Sequence, residues 1–409
     1  MIGNAPEGWR VEKLWNIVNR MHQGINTAAD KVEFDFHGYP IIQTRNITSG
    51  SLHFDNIKYI NENDWQLYKD KYKPQKNDIL LSNIGTIGKS IIIRKEEDFL
   101  IHWNIFLIEP ILTFIFPDFL QYFFKKLDTE NYYDRFLKGG TVKFISKGFL
   151  SDMTIPVPPL PQQEKIVKVL DISSALVEKQ RLLMEKYDMF LKSKFIEMFG
   201  DPISNPFGWE VVKFGKVIET LTDYHANGSY ETLKKHVELF DKKDYALMIR
   251  TTDLEKNNFN DGVKYISQHA YEFLTKSKVY GKEIIMNKIG SAGNIFLMPI
   301  LNIPVSLGMN QFLIRVNKNS NSVFLYNFLE TEYGKQNINK NVRGATTKSI
   351  TKDAVREIEI YLPPITLQNK FAQIVEKIEQ IKAKENKKLT HLQTLHNSLM
   401  DRAFKGEIK

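Results

Sequence analysis

The 409-residue chain is 42% hydrophobic, 12% aromatic and 25% charged, contains no cysteine and carries a formal net charge of +8. This composition supports a sizeable core in about two to four domains. It excludes disulfides and thiolate metal sites, which fits a reducing cytoplasm. The charge permits a polyanionic partner without requiring one.

In chain order, residues 1–9 (MIGNAPEGW) lack the charged-then-apolar layout of a signal peptide. Residues 80–90 (LLSNIGTIGKS) end like a phosphate-binding loop, with Gly88-Lys89-Ser90 after a strand-like run. Such a loop needs a glycine five positions before its Gly-Lys, and Asn83 stands there instead. Residues 99–124 are apolar enough to suggest a membrane span, but Glu109-Pro110 and Pro117-Asp118 interrupt them. A carboxylate at mid-bilayer costs about 3 kcal/mol, so the segment reads as a buried strand, a turn and an amphipathic helix from Asp118. A Pro-Pro boundary at Pro158-Pro159 then stops a strand, and Gln163–Phe199 follows without proline or glycine.

From Gly208 the chain repeats itself. Gly8–Lys13 recurs as Gly208–Lys213, Ile42–Ile47 as Ile249–Leu254, and Lys58–Ile60 as Lys264–Ile266. Asp78–Lys89 recurs as Glu283–Asn294, and Asn104–Ile108 as Asn310–Ile314. Gly139–Ser146 recurs as Gly344–Thr351, and Val157–Gln163 as Leu362–Gln368. The offset stays between 200 and 207, so two homologous halves make up the chain. Gly85 and Gly88 return as Gly290 and Gly293, whereas Lys89-Ser90 becomes Asn294-Ile295. What repeats is a tight turn between strands that needs positive φ, not a nucleotide loop. The counterpart of the apolar residues 111–116 is the polar run 317–322 (NKNSNS), which removes the membrane reading.

Both proline-free segments, 163–199 and 368–404, carry a helical apolar period. A 3,4 spacing selects Ile166, Val169, Ser173, Leu176, Gln180, Leu183, Tyr187 and Phe190 in the first. It selects Ile374, Ile378, Ile381, Glu385, Lys388, Leu392, Leu395 and Leu399 in the second. Six of eight positions are apolar in each, which suits the seam of a coiled coil with a polar interruption; the bland alternative is two separate amphipathic helices lying on their own domains. Each helix spans about 55 Å at 1.5 Å per residue. The expected fold class is α+β: two homologous mixed α/β domains separated by two long helices that pair as an antiparallel coiled coil, a pseudo-twofold dumbbell. Its parts are domain 1 at 1–158, helical spacer 1 at 159–203, domain 2 at 204–363 and helical spacer 2 at 364–409.

The two variable domains, the Pro-Pro-(Leu/Ile)-x-x-Gln start of each long helix and the Asp78–Lys89 turn resemble the specificity subunit of type I restriction-modification systems. The resemblance covers essentially the whole chain in the right order. It implies two target-recognition domains, each reading one half of a bipartite asymmetric DNA site. It implies as partners double-stranded DNA, two copies of an adenine methyltransferase subunit, and restriction subunits. S-adenosylmethionine, ATP and Mg would belong to those partners and no cofactor to this chain, which would act in the cytoplasm and not at a membrane. The helical rod would set the number of unread base pairs, since half-site spacing follows the distance between readers.

Phosphate contacts suit cations recurring in both copies: Lys71 and Lys73 with Lys276 and Lys278, then Lys143 and Lys147 with Lys348 and Lys352. Base readers belong where the copies differ. Those positions are Gln43, Arg45 and Asn46 against Arg250, Thr252 and Asp253, and Asn83, Thr86 and Lys89 against Lys288, Ser291 and Asn294. Each has a bland alternative as a solvated charge or an ordinary turn residue. Trp9 and Trp209, at matched positions, read as core anchors.

Catalytic patterns do not emerge. No Asn/Asp-Pro-Pro-aromatic run of an adenine methyltransferase occurs, since Leu160 and Ile365 follow the two Pro-Pro pairs. Glu385-Asn-Lys387 lies in a long helix without a neighbouring Pro-Asp, and His391 and His396 are five apart, on different helix faces. The alternatives are a coiled-coil scaffold without DNA specificity and an enzyme with an unfamiliar site.

Overall fold

The structure is a computed structural model that describes residues 6–137 and 143–408. Its contacts divide the chain into two units, Met1–Leu182 with Lys387–Lys409, and Leu183–Asn386. Of the repeated Gly139–Ser146 segment, residues 139–142 lie outside the described part.

The first unit contains β1 (Arg10–Lys13), β2 (Val18–Gln23), β3 (Tyr39–Ile42), β4 (Lys58–Ile60), α1 (Glu62–Tyr72), β5 (Ile79–Ser82) and β6 (Ser90–Ile92). These lead to β7 (Leu100–Ile101), β8 (Ile105–Pro110), α2 (Pro117–Thr129), α3 (Lys147–Asp152), β9 (Thr154–Val157) and the long helix α4 (Leu160–Phe199), which belongs to the first unit as far as Leu182. An antiparallel sheet runs β2-β8-β5-β6, a second runs β4-β3-β7, and β1 pairs with β9. Strand β5 has all four residues buried, because both its faces are covered. Period-2 alternation sends Ile79 and Leu81 to one core, with Phe106, Phe119 and Phe123, and Leu80 to the other, with Ile41, Ile91 and Leu107.

The segment 99–124 is as expected: strands β7 and β8, a turn, and α2, whose first residue is Pro117, where a missing N–H costs nothing. Among the described residues no helix is long and apolar enough to cross a membrane.

The second unit repeats the plan with β10 (Val211–Lys213), β11 (Ile218–Asp223), α5 (Tyr230–His236), β12 (Ala246–Ile249), α6 (Thr251–Glu255), β13 (Lys264–Ile266) and α7 (Gln268–Phe273). Then come β14 (Lys278–Val279), β15 (Ile284–Asn287), β16 (Ile295–Leu297), β17 (Val305–Leu307) and β18 (Gln311–Val316). Helices α8 (Ser322–Leu329), α9 (Glu332–Asn341) and α10 (Lys352–Arg356), strand β19 (Glu359–Tyr361) and helix α11 (Ile365–Phe404), as far as Asn386, complete it. The sheets run β11-β18-β15-β16 and β13-β12-β17-β14, and β10 pairs with β19, so the second copy adds one edge strand, β14. Ile284 and Met286 face the helical core while Ile285 faces the other, the same split as in β5.

Each long helix starts three residues earlier than the sequence reading placed it, at Leu160 and Ile365. Gln163 explains why the first turn is already helical. Its side chain accepts from the N–H of Phe116 at 2.8 Å and donates to the carbonyls of Phe114 (3.0 Å) and Pro158 (2.9 Å). Gln368 does the same with the N–H of Asn321 (2.9 Å) and the carbonyl of Pro363 (2.7 Å).

Within each unit the helical segments pair antiparallel. In the first, Gln162 reaches the carbonyl of Ile408 at 3.1 Å and Ser173 meets His396 at 2.7 Å. In the second, Lys382 donates to Asp188 at 2.8 Å, while the rings of Phe199 and Phe371 lie 5.5 Å apart. Half of each expected seam is correct and half is shifted by one residue. Leu170 and Leu191 are buried instead of Val169 and Phe190, and Leu176 and Phe190 are 44% and 46% exposed. The spacing is 4,3, not 3,4, and it brings the polar Lys382 and His396 to the contact positions where Ile381 and Leu395 were expected.

Candidate nucleic-acid interface

The glycine turn organises the site. Between β5 and β6, Gly85 and Gly88 have φ of 78° and 85°, and between β15 and β16, Gly290 and Gly293 have 80° and 88°. Only glycine adopts this left-handed region without strain.

Around the turn the two units share one hydrogen-bond frame. Asn83 donates its N–H to the carbonyl of Asn104 (3.1 Å) and accepts from Ile145 (3.1 Å). Lys288, at the matched place, donates to Asn310 (2.9 Å) and accepts from Ile350 (3.0 Å). Gly88 donates to Ser82, and Gly293 to Asn287, both at 2.9 Å. On the first frame, Thr44 Oγ1 donates to the carbonyls of Asn104 (2.9 Å) and Ile84 (3.3 Å). Gln23 Nε2 donates to the carbonyl of Trp103 at 3.1 Å. The 43–46 turn, the 83–89 turn, the end of β2 and the 143–147 segment therefore meet at one end of the sheets.

Arg45, Thr86, Lys143 and Lys147 are exposed on this surface in the first unit, as are Thr252, Asn294 and Lys348 in the second. Lys71 is exposed beside it, its Nζ 4.8 Å from the ring of Tyr72, which lies 5.5 Å from His22. Burial, with Arg20, Lys71 and Lys147 adding to it, lowers the His22 pKa and favours the neutral ring. Gln43 and Ser291 are half-buried, Ser291 held by the amide of Asn287 at 2.8 Å. Lys276 is exposed on the turn before β14, where its N–H donates to Asn227 Oδ1 at 2.8 Å, and Lys278 stacks its ammonium 4.4 Å from the ring of Tyr271.

Several expected contacts belong to the fold instead. Asn46 and Asp253 are 1% and 4% exposed and cap their turns, accepting from the N–H of Gln43 (3.1 Å) and Arg250 (2.8 Å). They are removed as base readers because their side chains are enclosed. Arg250 pairs with Asp253 at 2.7 Å and donates to the carbonyl of Gly262 at 2.5 Å. Lys73 pairs with Asp98 at 2.5 Å, and Lys89 with Asp128 at 2.6 Å. Asn83 is fully buried, yet among the described residues neither atom of its side-chain amide has a partner.

In the second unit Lys288 and Lys352 each lie 3.1 Å from Asp223. Burial of Asp223 opposes its ionisation, but the two ammonium groups outweigh it and hold its pKa below the ordinary value. Asp223 and its counterpart Gln23 escaped the sequence reading because β2 (VNRMHQ) and β11 (IETLTD) share no residue at matched places. Only the pairing exposes the match: Gln23 sits opposite Phe106 and Asp223 opposite Phe312, the same strand position in both copies. Trp9 and Trp209 pack against the two helical cores, and Trp209 Nε1 donates to the carbonyl of Phe199 at 2.8 Å. Among the described residues, no three His, Asp or Glu side chains gather as a metal would require.

Comparison with known proteins agrees with this duplicated arrangement. The type I restriction modification DNA specificity domain matches residues 6–183 and again 206–393. The chain is 22% identical to the type I restriction enzyme MjaIX specificity subunit of Methanocaldococcus jannaschii, covering 100% of this chain and 95% of that one. It is also 22% identical to the StySPI specificity subunit of Salmonella potsdam, covering 99% and 90%. The fold is similar to that of the S subunit of a type I restriction-modification system from M. genitalium, with a TM-score of 0.54 at 15% identity over 98% and 97% of the two chains. The chain therefore belongs to the type I restriction-modification DNA specificity family and carries two copies of its domain.

Proposed function

We propose that this chain is the DNA sequence-recognition subunit of a type I restriction-modification complex, each unit reading one half of a bipartite, asymmetric site. The paired helical segments would act as the spacer that fixes how many base pairs go unread. Methylation and restriction would be the work of partner subunits, two methyltransferase copies and restriction subunits, which would bring S-adenosylmethionine, ATP and Mg. The complex would act in the cytoplasm, where its DNA is.

The observation that supports this most is the repeated backbone frame with unlike side chains. A duplicated scaffold holding Gln23, Arg45 and Thr86 in one copy and Asp223, Thr252 and Ser291 in the other suits two different half-sites. Exposed lysines around each frame suit sequence-blind phosphate contact. A coiled-coil scaffold without DNA specificity has no support from the family relationship.

The test is to express the chain with its methyltransferase subunit in a host without adenine methylation and to map the methylated adenines. Two unlike half-sequences at a fixed separation are expected. A continuous or palindromic site, or methylation by the chain alone, would overturn the reading.

A further inference from the structure

One matched place in the two frames differs in charge, and the difference has the form of a base code. In the second unit Asp223, 8% exposed, receives Lys288 on Oδ2 and Lys352 on Oδ1, each at 3.1 Å. An ammonium carries three donors, and each lysine spends one on Asp223, so donors remain and the group keeps a net charge of about +1. In the first unit the same strand end carries Gln23, and the same turn residue is Asn83. Lys147, the counterpart of Lys352, is diverted: its Nζ lies 5.1 Å from the ring of Trp15, where the second unit has Gly215 and offers no ring. The first unit thus presents the half-buried Gln23 amide, with Asn83 fully enclosed, where the second presents a carboxylate between cations. The Asn83 amide, buried and without a partner, is a donor and acceptor left unmet in the free protein.

Resting on the reading of the chain as a DNA-specificity subunit, we infer that Gln23 in the first unit, and Asp223 with Lys288 in the second, select one base pair at a matched place of each half-site: adenine through the amide of Gln23, with Asn83 enclosed, and a G·C pair through Asp223 and Lys288. The chemistry follows the edges of the bases in the major groove. Glutamine matches the N6 donor and N7 acceptor of adenine, lysine matches O6 and N7 of guanine, and a carboxylate accepts from N4 of cytosine. Lys352 holds Asp223 in place from the opposite side and makes the positioning independent of DNA.

The experiment uses the full chain with its methyltransferase subunit and reads the methylated sequence genome-wide. Asp223→Gln with Lys288→Asn gives the second unit the amides of the first, and Gln23→Asp with Asn83→Lys makes the reverse exchange. Each is expected to change one base pair, in its own half-sequence only, with the preference for that pair shifting at least tenfold and the other half unchanged. Lys288→Arg, which keeps a donor for guanine, is expected to leave the sequence as it is. If neither exchange moves a base in its own half, whether methylation persists or disappears, the assignment is overturned. A uniform loss with a weaker salt dependence would show phosphate contact instead, and overturns it too. A wild-type complex that methylates no split site defeats the wider reading rather than this assignment alone.

Discussion

Arg315 lies 3.1 Å from the buried carboxylate of Glu283, and it stands at the strand position that Glu109 holds in the first unit. There the equivalent carboxylate, Asp78, is faced across β8 by Arg20 of β2, at 3.6 Å, which is shared with Glu109 at 2.6 Å. Arg20 and Glu109 are cross-strand partners, as are Thr220 and Arg315. The cation has changed strands between the copies while the carboxylate has stayed.

The two solutions differ in strength, and pH should reveal it. Arg315 gives Glu283 two hydrogen bonds, whereas burial dominates at Asp78 and pushes its pKa from 3.8 to about 6 despite the N–H of Gln75 and the guanidinium of Arg20. A pKa raised on folding means that the stability from this group is complete below about pH 4 and is lost as pH rises through about 6. At about 1.4 kcal/mol per unit, up to about 3 kcal/mol is involved. The stability of the wild type relative to Asp78→Asn, followed by thermal unfolding, should fall by that order between about pH 4 and pH 7. A flat difference would mean that Arg20 compensates the charge fully.

The glycine turns give a second prediction, because the two glycines of one turn are unequal. A Cβ on Gly85 meets nothing within 4 Å, so Gly85→Ala bears only the left-handed backbone, about 1–2 kcal/mol. A Cβ on Gly88 would lie 2.7 Å from two ring carbons of Tyr133, which is itself buried. Gly88→Ala adds overpacking of about 1–3 kcal/mol and should cost clearly more in urea unfolding. Gly293→Ala should cost as much as Gly88→Ala, since its Cβ would lie 2.6 Å from Cγ2 of the buried, β-branched Ile338 and 3.2 Å from Val342 Cγ2, and a β-branched side chain in a helix cannot turn aside freely.

Those turns were legible in the sequence because glycine spacing survives divergence: a positive φ admits few substitutes. The repeated strands and the proline-free helices were legible for similar reasons, through apolar patterning. The helix seam was only half legible. Ile166 and Ser173 are at the contact, but Val169 and Leu170 are both apolar, as are Phe190 and Leu191, and the period alone cannot choose between such neighbours. The interface was read less well. Asn46 and Asp253 have the chemistry of base readers, but a short polar side chain three residues into a turn serves equally as its cap, and here it does. Asp223 carries no signal until the sheet brings Lys288 and Lys352 to it.

Gln163 and Gln368 provide a third prediction. Each is fully buried and ties the start of a long helix to the backbone of its own unit. Gln163→Leu keeps the volume but orphans the N–H of Phe116 and two carbonyls, and each unmet buried group costs about 1–3 kcal/mol. A loss of about 3 kcal/mol is expected, with α4 starting later than Leu160. Gln368→Leu should act likewise in the second unit. Hydrogen exchange at the first turn of each helix would report it, and unchanged protection would refute the tether.

The last prediction separates positioning from reading within the proposed function. Lys143 and Lys348 are exposed at matched places next to the glycine turns, where the 144 and 349 backbones bridge to Ile84 and Ile289. A cation repeated in two copies that read different sequences cannot be the source of their difference, so its contact should be with phosphate. Lys143→Ala and Lys348→Ala should each weaken binding of the complex to all DNA alike. Each should also lower the slope of log affinity against log salt by about 0.9, the release of one counterion. The methylated sequence should stay the same, because no base contact is lost. A changed base preference in either variant would move that lysine from the phosphate set to the readers, and an unchanged salt slope would remove it from the interface.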